Sequence, residues 1–317
     1  MAGWHLFQSR VIAVGRWLLA GLLAVAGTAQ AVEVSFKPVA DGVYAYIGDI
    51  EGRTYDNEGL NANVGLVVTP VGAVLIDSGA SFQSARKIHE AAKKATMQPI
   101  KWVINTGGQD HRWLGNGYFK TQGAEILAHA NAEADMKARA LEHMNALKPV
   151  LKERLDGTVP TLPTRFLKDA DTRLELGGVV IEVKHRDGGH TPGDSLVWLP
   201  QKNVMFTGDA VYVDRILGLL PVSRTRTWLQ TSAVIDEIKP QIIVPGHGSV
   251  TNLATAQAQT RDLLLALRAH MKKAVDDGTD ISAAVKSFNG QPFAGLKHAE
   301  VWMPQLANMT YLEMERE

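Results

Sequence analysis

The chain of 317 residues contains no cysteine. Disulfide bonds, thiolate metal sites and catalytic thiols are therefore excluded, and any bound metal ion must be held by nitrogen and oxygen ligands. A net charge is also missing, because 33 basic residues balance 33 acidic ones, and no basic run stands out. This balance argues against nucleic acid or an anionic membrane surface as the main partner.

A hydrophobic run long enough to cross a membrane is lacking at the amino terminus. Arg10 and Arg16 precede an apolar run at 17–26, and Ala29-Gln30-Ala31 follows as a small-residue cleavage site. A run of about ten residues is too short for a span of about twenty, which disfavours a membrane anchor. The order of charged, apolar and small residues predicts a Sec-type signal peptide at 1–31 and a mature periplasmic chain that begins near Val32.

The remaining sequence alternates between strand and helix patterns, with no linker or charge block to divide it. Apolar runs predict strands, and periodic segments predict helices. The helical segment at 131–155 is expected to be bent or divided by Pro149 and to cover the mouth of a site. We predict one α/β domain over 32–317, including the carboxyl-terminal helices, in which two β-sheets pack together between outer helices (αββα). The predicted strands are 43–47, 63–68, 72–77, 102–105, 125–128, 179–183, 195–199, 204–207 and 241–244, and the other predicted helices are 81–96, 227–238 and 253–276.

Polar side chains collect in loops that directly follow the apolar strands. Each loop contains histidine or aspartate, and most place glycine next to it, which lets the backbone turn tightly close to an ion. Imidazole nitrogen and carboxylate oxygen suit zinc, iron or manganese. The loops are Asp77-Ser78-Gly79, Gly107-Gly108-Gln109-Asp110-His111, Gly189-His190-Thr191-Pro192-Gly193-Asp194, Thr207-Gly208-Asp209 and Pro245-Gly246-His247-Gly248.

These segments, in this order, resemble the metallo-β-lactamase superfamily from about Val43 to the carboxyl terminus. The resemblance implies the four-layer αββα sandwich of that type and hydrolysis of a lactam, thioester, lactone or other ester. Asp214-Arg215, Trp228 and the tail residues Asn308, Tyr311 and Glu313 are similar to a periplasmic branch found with thiosulfate-oxidation and quinoprotein systems.

One motif departs from the family pattern Thr-His-x-His-x-Asp-His. The stretch from Thr106 to His111 is one residue shorter, and both leading histidines are missing. We align the pair Asp110-His111 with the Asp-His of the family. An alignment without a gap would instead place His111 at the position of the family aspartate.

The resemblance implies that one of the two family metal sites survives. Its ligands would be Asp110, His111, Asp209 and His247, whereas the other site would retain only His190 with Gln109 as a weak oxygen ligand. We therefore expect one zinc ion per chain, with iron and manganese as the alternatives. His190 and Asp110 are the predicted catalytic residues, with His190 as general base.

Two functions remain open on the sequence. The first is a periplasmic hydrolase of a small-molecule substrate, in which a single ion lowers the pKa of water toward about 7 and so supplies hydroxide. The second is a non-catalytic descendant that binds a metal, a ligand or a periplasmic partner protein in the same cleft. Loss of two family ligands favours the second function, and retention of four favours the first.

Overall fold

The computed structural model describes residues 32–317, so the predicted signal peptide at 1–31 lies outside the described residues. Within this range, twelve strands form two mixed sheets. The first sheet has seven strands in chain order: β1 (Lys37–Ala40), β2 (Val43–Tyr46), β3 (Val64–Thr69), β4 (Gly72–Ile76), β5 (Ile100–Ile104), β6 (Glu125–His129) and β7 (Arg165–Leu167). The second has the spatial order β12-β11-β10-β9-β8, with β8 (Asp171–Leu176), β9 (Val179–His185), β10 (Ser195–Leu199), β11 (Val204–Phe206) and β12 (Ile242–Val244).

Helices connect the strands and form most of the carboxyl-terminal region. None of the helices in residues 32–317 is both long and apolar enough to span a membrane. They are α1 (Phe82–Ala95), α2 (Asp110–Trp113), α3 (Asn116–Thr121), α4 (Asn131–Leu151), α5 (Thr225–Ile238), α6 (Leu253–Ala256), α7 (Asp262–Asp276), α8 (Ile281–Ser287) and α9 (Ala299–Met314).

The two sheets pack face to face through alternate apolar side chains. Val74 and Ile104 of the first sheet share one buried cluster with Val183, Val197 and Phe206 of the second. Because successive strand residues point to opposite faces, the intervening residues face outward and need helices to cover them. The strand alternation seen in the sequence thus defines both the inner core and the two outer layers.

Helices cover both outer faces. On the first sheet, Ile88 of α1 and Phe119 of α3 pack with Leu75 and Val103. On the second sheet, Ile235 of α5 belongs to the cluster that contains strand residues such as Met205 and Ile243. This arrangement confirms the predicted four-layer αββα fold. Helices α7, α8 and α9 form a further apolar cluster around Trp228 and the 212–219 segment.

Local signals in the sequence fix several of these elements. The predicted strands at 63–68 and 72–77 form the β3–β4 hairpin, in which Thr69 pairs with Gly72. Ser81 caps α1, since its side chain accepts a hydrogen bond from the backbone NH of Ser84, and the Ser84 side chain bonds back to the Ser81 NH. Such reciprocal capping satisfies two of the free NH groups at the start of the helix.

Other elements differ from the sequence prediction. The strands β1, β7 and β8 were not predicted, because their burial is low or only partial and their apolar pattern is weak. Pro149 does not divide the long helix: α4 continues to Leu151, where Lys152 takes a positive φ of 50° and a short 3₁₀ turn follows. The predicted helix at 253–276 is interrupted by a π-helical segment at Gln257–Arg261.

Candidate metal centre

The polar loops meet at one end of the two sheets. Strands β4 and β5 run parallel, as do β11 and β12, so the loops after them leave at the carboxyl ends of neighbouring strands. Two backbone hydrogen bonds join loops of the two sheets, from Asn63 NH to Gly246 O at 2.9 Å and from Ser195 NH to Thr106 O at 2.8 Å. The loops that follow strands distant in sequence thus form one polar surface, which is the floor of the candidate site.

Three side chains of this floor form a compact donor group. The ligand atoms of His111, Asp209 and His247 lie within 4.8 Å of one another, and all three residues are buried. The Nε2 atoms of His111 and His247 each lie 3.1 Å from a carboxylate oxygen of Asp209. His190 Nε2 is more distant, at 3.9 Å from Asp209 Oδ2. The structure therefore brings together three of the four residues that the sequence suggested as ligands, with His190 beside them.

Backbone carbonyl groups determine which nitrogen of two of these imidazoles bears the proton. His247 Nδ1 lies 2.6 Å from Asn61 O, and His190 Nδ1 lies 2.9 Å from Gly218 O. A carbonyl oxygen only accepts, so each Nδ1 donates and each Nε2 carries a lone pair. Burial lowers the pKa of His190 to about 4, which keeps it neutral at pH 7. His247 therefore presents a lone pair to an Asp209 oxygen, a contact that a cation or proton between them would stabilise.

Asp110 stands apart from this group, on the other side of the His111 ring. Its Oδ1 lies 3.1 Å from His111 Nδ1, whereas Asp209 faces Nε2. Arg53 forms an ion pair with Asp110 and places Nη2 2.9 Å from His111 Nδ1. Burial opposes ionisation of Asp110, but Arg53 and His111 hold its pKa below the ordinary value. The expected convergence of Asp110 with Asp209 and His247 is not seen, because Arg53 and the start of α2 hold this carboxylate elsewhere.

A buried arginine, which the sequence interpretation overlooked, supports the floor. Arg112 is 1% exposed and donates to both oxygens of Asp209, from Nη2 to Oδ1 at 2.5 Å and from Nε to Oδ2 at 3.2 Å. Its Nη1 donates to Asp77 Oδ2 at 2.9 Å. Burial alone would raise the pKa of Asp209, but Arg112 and His111 lower it well below its usual range. Arg112 thus keeps the central carboxylate ionised and fixes its orientation.

Asp77 has a structural role in the loop after β4. Its Oδ1 accepts hydrogen bonds from the Thr106 backbone NH at 2.7 Å and from the Thr106 hydroxyl at 3.0 Å. Asp77 itself has a positive φ of 67°, where the chain turns sharply after β4. It therefore ties the β4 loop to the β5 loop instead of entering the donor group.

Two carboxylates explain the glycines of the altered motif. A Cβ atom built on Gly107 would overlap Oδ1 of Asp194, and one on Gly108 would overlap Oδ2 of Asp135. Asp135 is fixed from α4 by Arg139, whose Nε and Nη2 donate to it at 2.7 Å and whose Nη1 donates to Gln109 at 3.1 Å. With these carboxylates in place, the loop has no room for a side chain at either position.

This packing predicts the effect of a methyl group in the loop. Gly108→Ala should lower the free energy of unfolding by about 1–3 kcal/mol, the usual cost of overpacking a closed interior. Gly295→Ala is the control, because a Cβ atom there meets nothing within 4 Å. Urea unfolding of both variants measures the difference. Equal stability of the two would show that Asp135 can move aside at little cost.

Asp194 provides a second test of the loop. Burial raises its pKa to about 7, although Thr191 donates to it from its backbone NH at 2.8 Å and from its hydroxyl at 2.5 Å. The folded state thus binds a proton that the unfolded state releases, so this group destabilises the fold as pH rises from about 4 to 7.

Asp194→Asn should remove that pH dependence. The stability of the variant minus that of the parent should increase with pH by up to about 1.4 kcal/mol per unit in this window. Urea unfolding at several pH values, with EDTA present to remove metal linkage, measures the difference. Parallel stability curves would contradict the raised pKa.

The helical segment predicted to cover the site contacts the altered motif through a polar side chain. Arg139 of α4 reaches Gln109, whereas Leu141 is 71% exposed and Met144 packs only partly against the cluster around Trp113. The lid function of this segment remains a prediction.

The donor group fits a metal ion chemically. It offers imidazole nitrogen and carboxylate oxygen, without sulfur, which is a set that zinc, iron and manganese accept. The Asn61 carbonyl bound to His247 Nδ1 is the type of outer contact that orients metal-binding histidines. Tyr212 stacks on the His247 ring at 4.7 Å between ring centroids and further restricts its orientation.

Comparison with known proteins identifies the family. The family model of the metallo-beta-lactamase superfamily matches residues 57–247, which is more than half of the chain. The chain therefore belongs to the metallo-β-lactamase superfamily, a hydrolase family, as its motif order indicated.

Two curated relatives show the range of the similarity. The acyl-coenzyme A thioesterase MBLAC2 of Homo sapiens is 25% identical over 67% of this chain and 80% of its own. The metallo-beta-lactamase type 2 of Elizabethkingia meningoseptica is 23% identical over 78% of this chain and 94% of its own.

Solved structures support the fold. The metallo-beta-lactamase from Pontibacter korlensis has a TM-score of 0.58 at 22% identity and covers 73% of this chain and 99% of its own. The sec-alkylsulfatase Pisa1 from Pseudomonas sp. has a TM-score of 0.70 at 14% identity over 88% of this chain and 50% of its own.

Proposed function

We propose that the protein is a periplasmic hydrolase of ester, thioester, lactone or lactam bonds that works with one zinc ion. The observation that carries this proposal is the convergence of His111, His247 and Asp209 on the floor of a cleft that His190 also lines. Relatives named as a thioesterase and as β-lactamases support acyl hydrolysis as the reaction class.

The chain's own residues divide the work of binding and proton transfer. Asp209, His111 and His247 would hold the ion, which supplies Lewis acidity and lowers the pKa of water. Asp110 would accept a hydrogen bond from His111 Nδ1 once that nitrogen is protonated, and so orient the ring. Arg112 would keep Asp209 ionised throughout.

His190 is the proposed general base. Its Nδ1 proton is bonded to Gly218 O, so the Nε2 lone pair faces the cleft and can take a proton from the attacking water. Asp209, 3.9 Å away, would stabilise the imidazolium ion that results.

A second candidate function rests on the contacts of Arg53. Its donation to His111 Nδ1 implies that His111 Nε2 bears a proton and donates it to Asp209. With Arg112 also bonded to Asp209, this carboxylate is already satisfied without a metal ion. The same cleft would then serve a non-catalytic binding protein.

Metal analysis combined with an activity panel separates the two candidates. Protein purified without chelators or immobilised nickel should contain one ion per chain and should hydrolyse at least one ester, thioester, lactone or lactam, with activity lost on EDTA treatment and restored by zinc. Absence of both metal and turnover would favour the binding protein. Two ions per chain would contradict the single site.

Export is proposed from residues 1–31, whose charged, apolar and small-residue segments have the order of a signal peptide. The mature chain, free of the membrane, would meet its small-molecule substrate and any partner protein in the periplasm. Amino-terminal sequencing of the periplasmic fraction should begin near Val32. An intact Met1 on soluble protein would contradict export by cleavage.

A further inference from the structure

The cleft above the donor group contains a second set of charged side chains. It has a volume of about 170 Å³, and two arginines, Arg53 and Arg215, line it together with the histidines of the floor. Four apolar side chains also line the cleft: Leu219, Leu220, Trp302 and Leu306. A molecule in this cleft would therefore meet both positive charge and apolar surface.

Arg215 is buried but has no carboxylate partner. It is 4% exposed, and no carboxylate oxygen of residues 32–317 lies within 4.0 Å of its guanidinium nitrogen atoms, the distance that defines an ion pair. The other buried arginines behave differently, since Arg112 pairs with Asp77 and Asp209, and Arg139 pairs with Asp135. An unpaired buried charge is costly, so its retention at a cleft needs an explanation.

The contacts that Arg215 does make leave donors free. Nη1 donates to the backbone oxygen of Glu51 at 3.1 Å, while the Glu51 carboxylate is bound by Lys297. Nε is buried and has no hydrogen-bond partner among the described residues. The guanidinium lies 4.9 Å from the centre of the Trp302 ring, which stabilises the cation without using an NH donor.

We propose that Arg215, with Arg53, binds the oxyanion group of a small molecule whose apolar part packs against Leu219, Leu220, Trp302 and Leu306. A carboxylate or a sulfate ester has this chemistry, and the planar guanidinium matches either group with paired hydrogen bonds. That this molecule is the substrate rests on the proposed hydrolase function. Binding of the oxyanion does not depend on it.

Three small probes of equal chain length test the site: hexanoate, hexyl sulfate and the neutral 1-hexanol. Binding to the purified chain is measured by ligand-observed NMR titration, and repeated after EDTA treatment so that no metal ion can serve as the anion's partner. At least one anion should bind at least about tenfold more tightly than hexanol, because charge-assisted hydrogen bonds contribute on this scale. Preference for hexanoate or for hexyl sulfate identifies which oxyanion the site accepts.

Variants locate the binding. Arg215→Gln should weaken binding of the anion at least about tenfold, Arg215→Lys should restore part of it, and Arg53→Gln should weaken it in a chain that keeps Arg215. Arg226→Gln is the control, since its side chain is 69% exposed and lies outside this cleft. Unchanged binding in Arg215→Gln, or hexanol binding as tightly as the anions, would overturn the proposal.

The readout also separates this inference from the proposed function. A chain that binds the anions through Arg215 but hydrolyses none of the panel would contradict the hydrolase alone. A chain that hydrolyses esters but binds anions equally well after Arg215→Gln would contradict the anion site alone.

Discussion

His247→Ala should abolish stoichiometric metal binding, from one ion per chain to less than about a tenth. His247 offers Nε2 at 3.1 Å from Asp209, with its tautomer fixed by Asn61 O and its ring held by Tyr212. A group of three donors that loses one retains too few for tight binding of zinc. Metal content is measured by elemental analysis after dialysis against buffer with a low concentration of zinc.

The controls for this prediction are a histidine elsewhere and a milder change at the carboxylate. His89→Ala removes a buried histidine that bonds to Tyr118 on the α1 face and should leave the metal content unchanged. Asp209→Asn should weaken metal binding strongly; it is preferred to alanine because Arg112 would otherwise lose a buried partner, a change that costs about 3–5 kcal/mol. Retention of the ion in His247→Ala but loss in His190→Ala would show that the ion is bound around His190 instead.

His190→Ala should slow turnover by about 10²–10⁴-fold while the metal remains bound, the range expected for loss of a general base. The neutral His190 directs an unprotonated Nε2 into the cleft, and it lies farther from Asp209 than His111 and His247 do. The decrease should appear in kcat, because proton transfer belongs to the chemical step. Steady-state kinetics on whichever panel substrate the parent hydrolyses, with metal analysis of the same sample, measure both quantities.

His190→Gln separates proton transfer from simple packing. Glutamine fills much of the space of the ring beside Trp228 but cannot accept a proton from water at neutral pH. It should therefore be as slow as the alanine variant while remaining folded. Near-parental turnover of His190→Gln would assign His190 a packing role, and loss of metal together with activity would make it a ligand.

The sequence by itself determined the fold and the end of the fold where the site lies. Strand runs such as 195–199 coincide with the observed β10, and the loops after β4, β5, β11 and β12 contain the polar residues that meet. Alternation of apolar residues is a local property, and each loop follows its strand in the chain, so both can be recognised without the tertiary structure.

Only the tertiary structure decided which neighbours share the site. Asp110 and His111 are adjacent in sequence at the start of α2. Asp110 nevertheless faces Arg53, whereas Nε2 of His111 faces Asp209. The sequence offered two alignments here, and nothing local distinguishes them. The direction in which each side chain of a short helix points depends on how the helix is oriented in the fold. Long-range packing fixes that orientation.

The charges that complete the site were also decided by packing. Arg112 pairs with Asp77 and Asp209, which lie in two other loops. Arg215 lies against Trp302 of the last helix, although the two residues are 87 positions apart in the chain. From the sequence, the glycines at 107 and 108 were interpreted only as the loss of metal ligands. In the structure, the carboxylates of Asp194 and Asp135 fill the space that a side chain at these positions would need. A buried ion pair is defined by three-dimensional proximity and desolvation, and neither quantity is encoded at a fixed spacing along the chain.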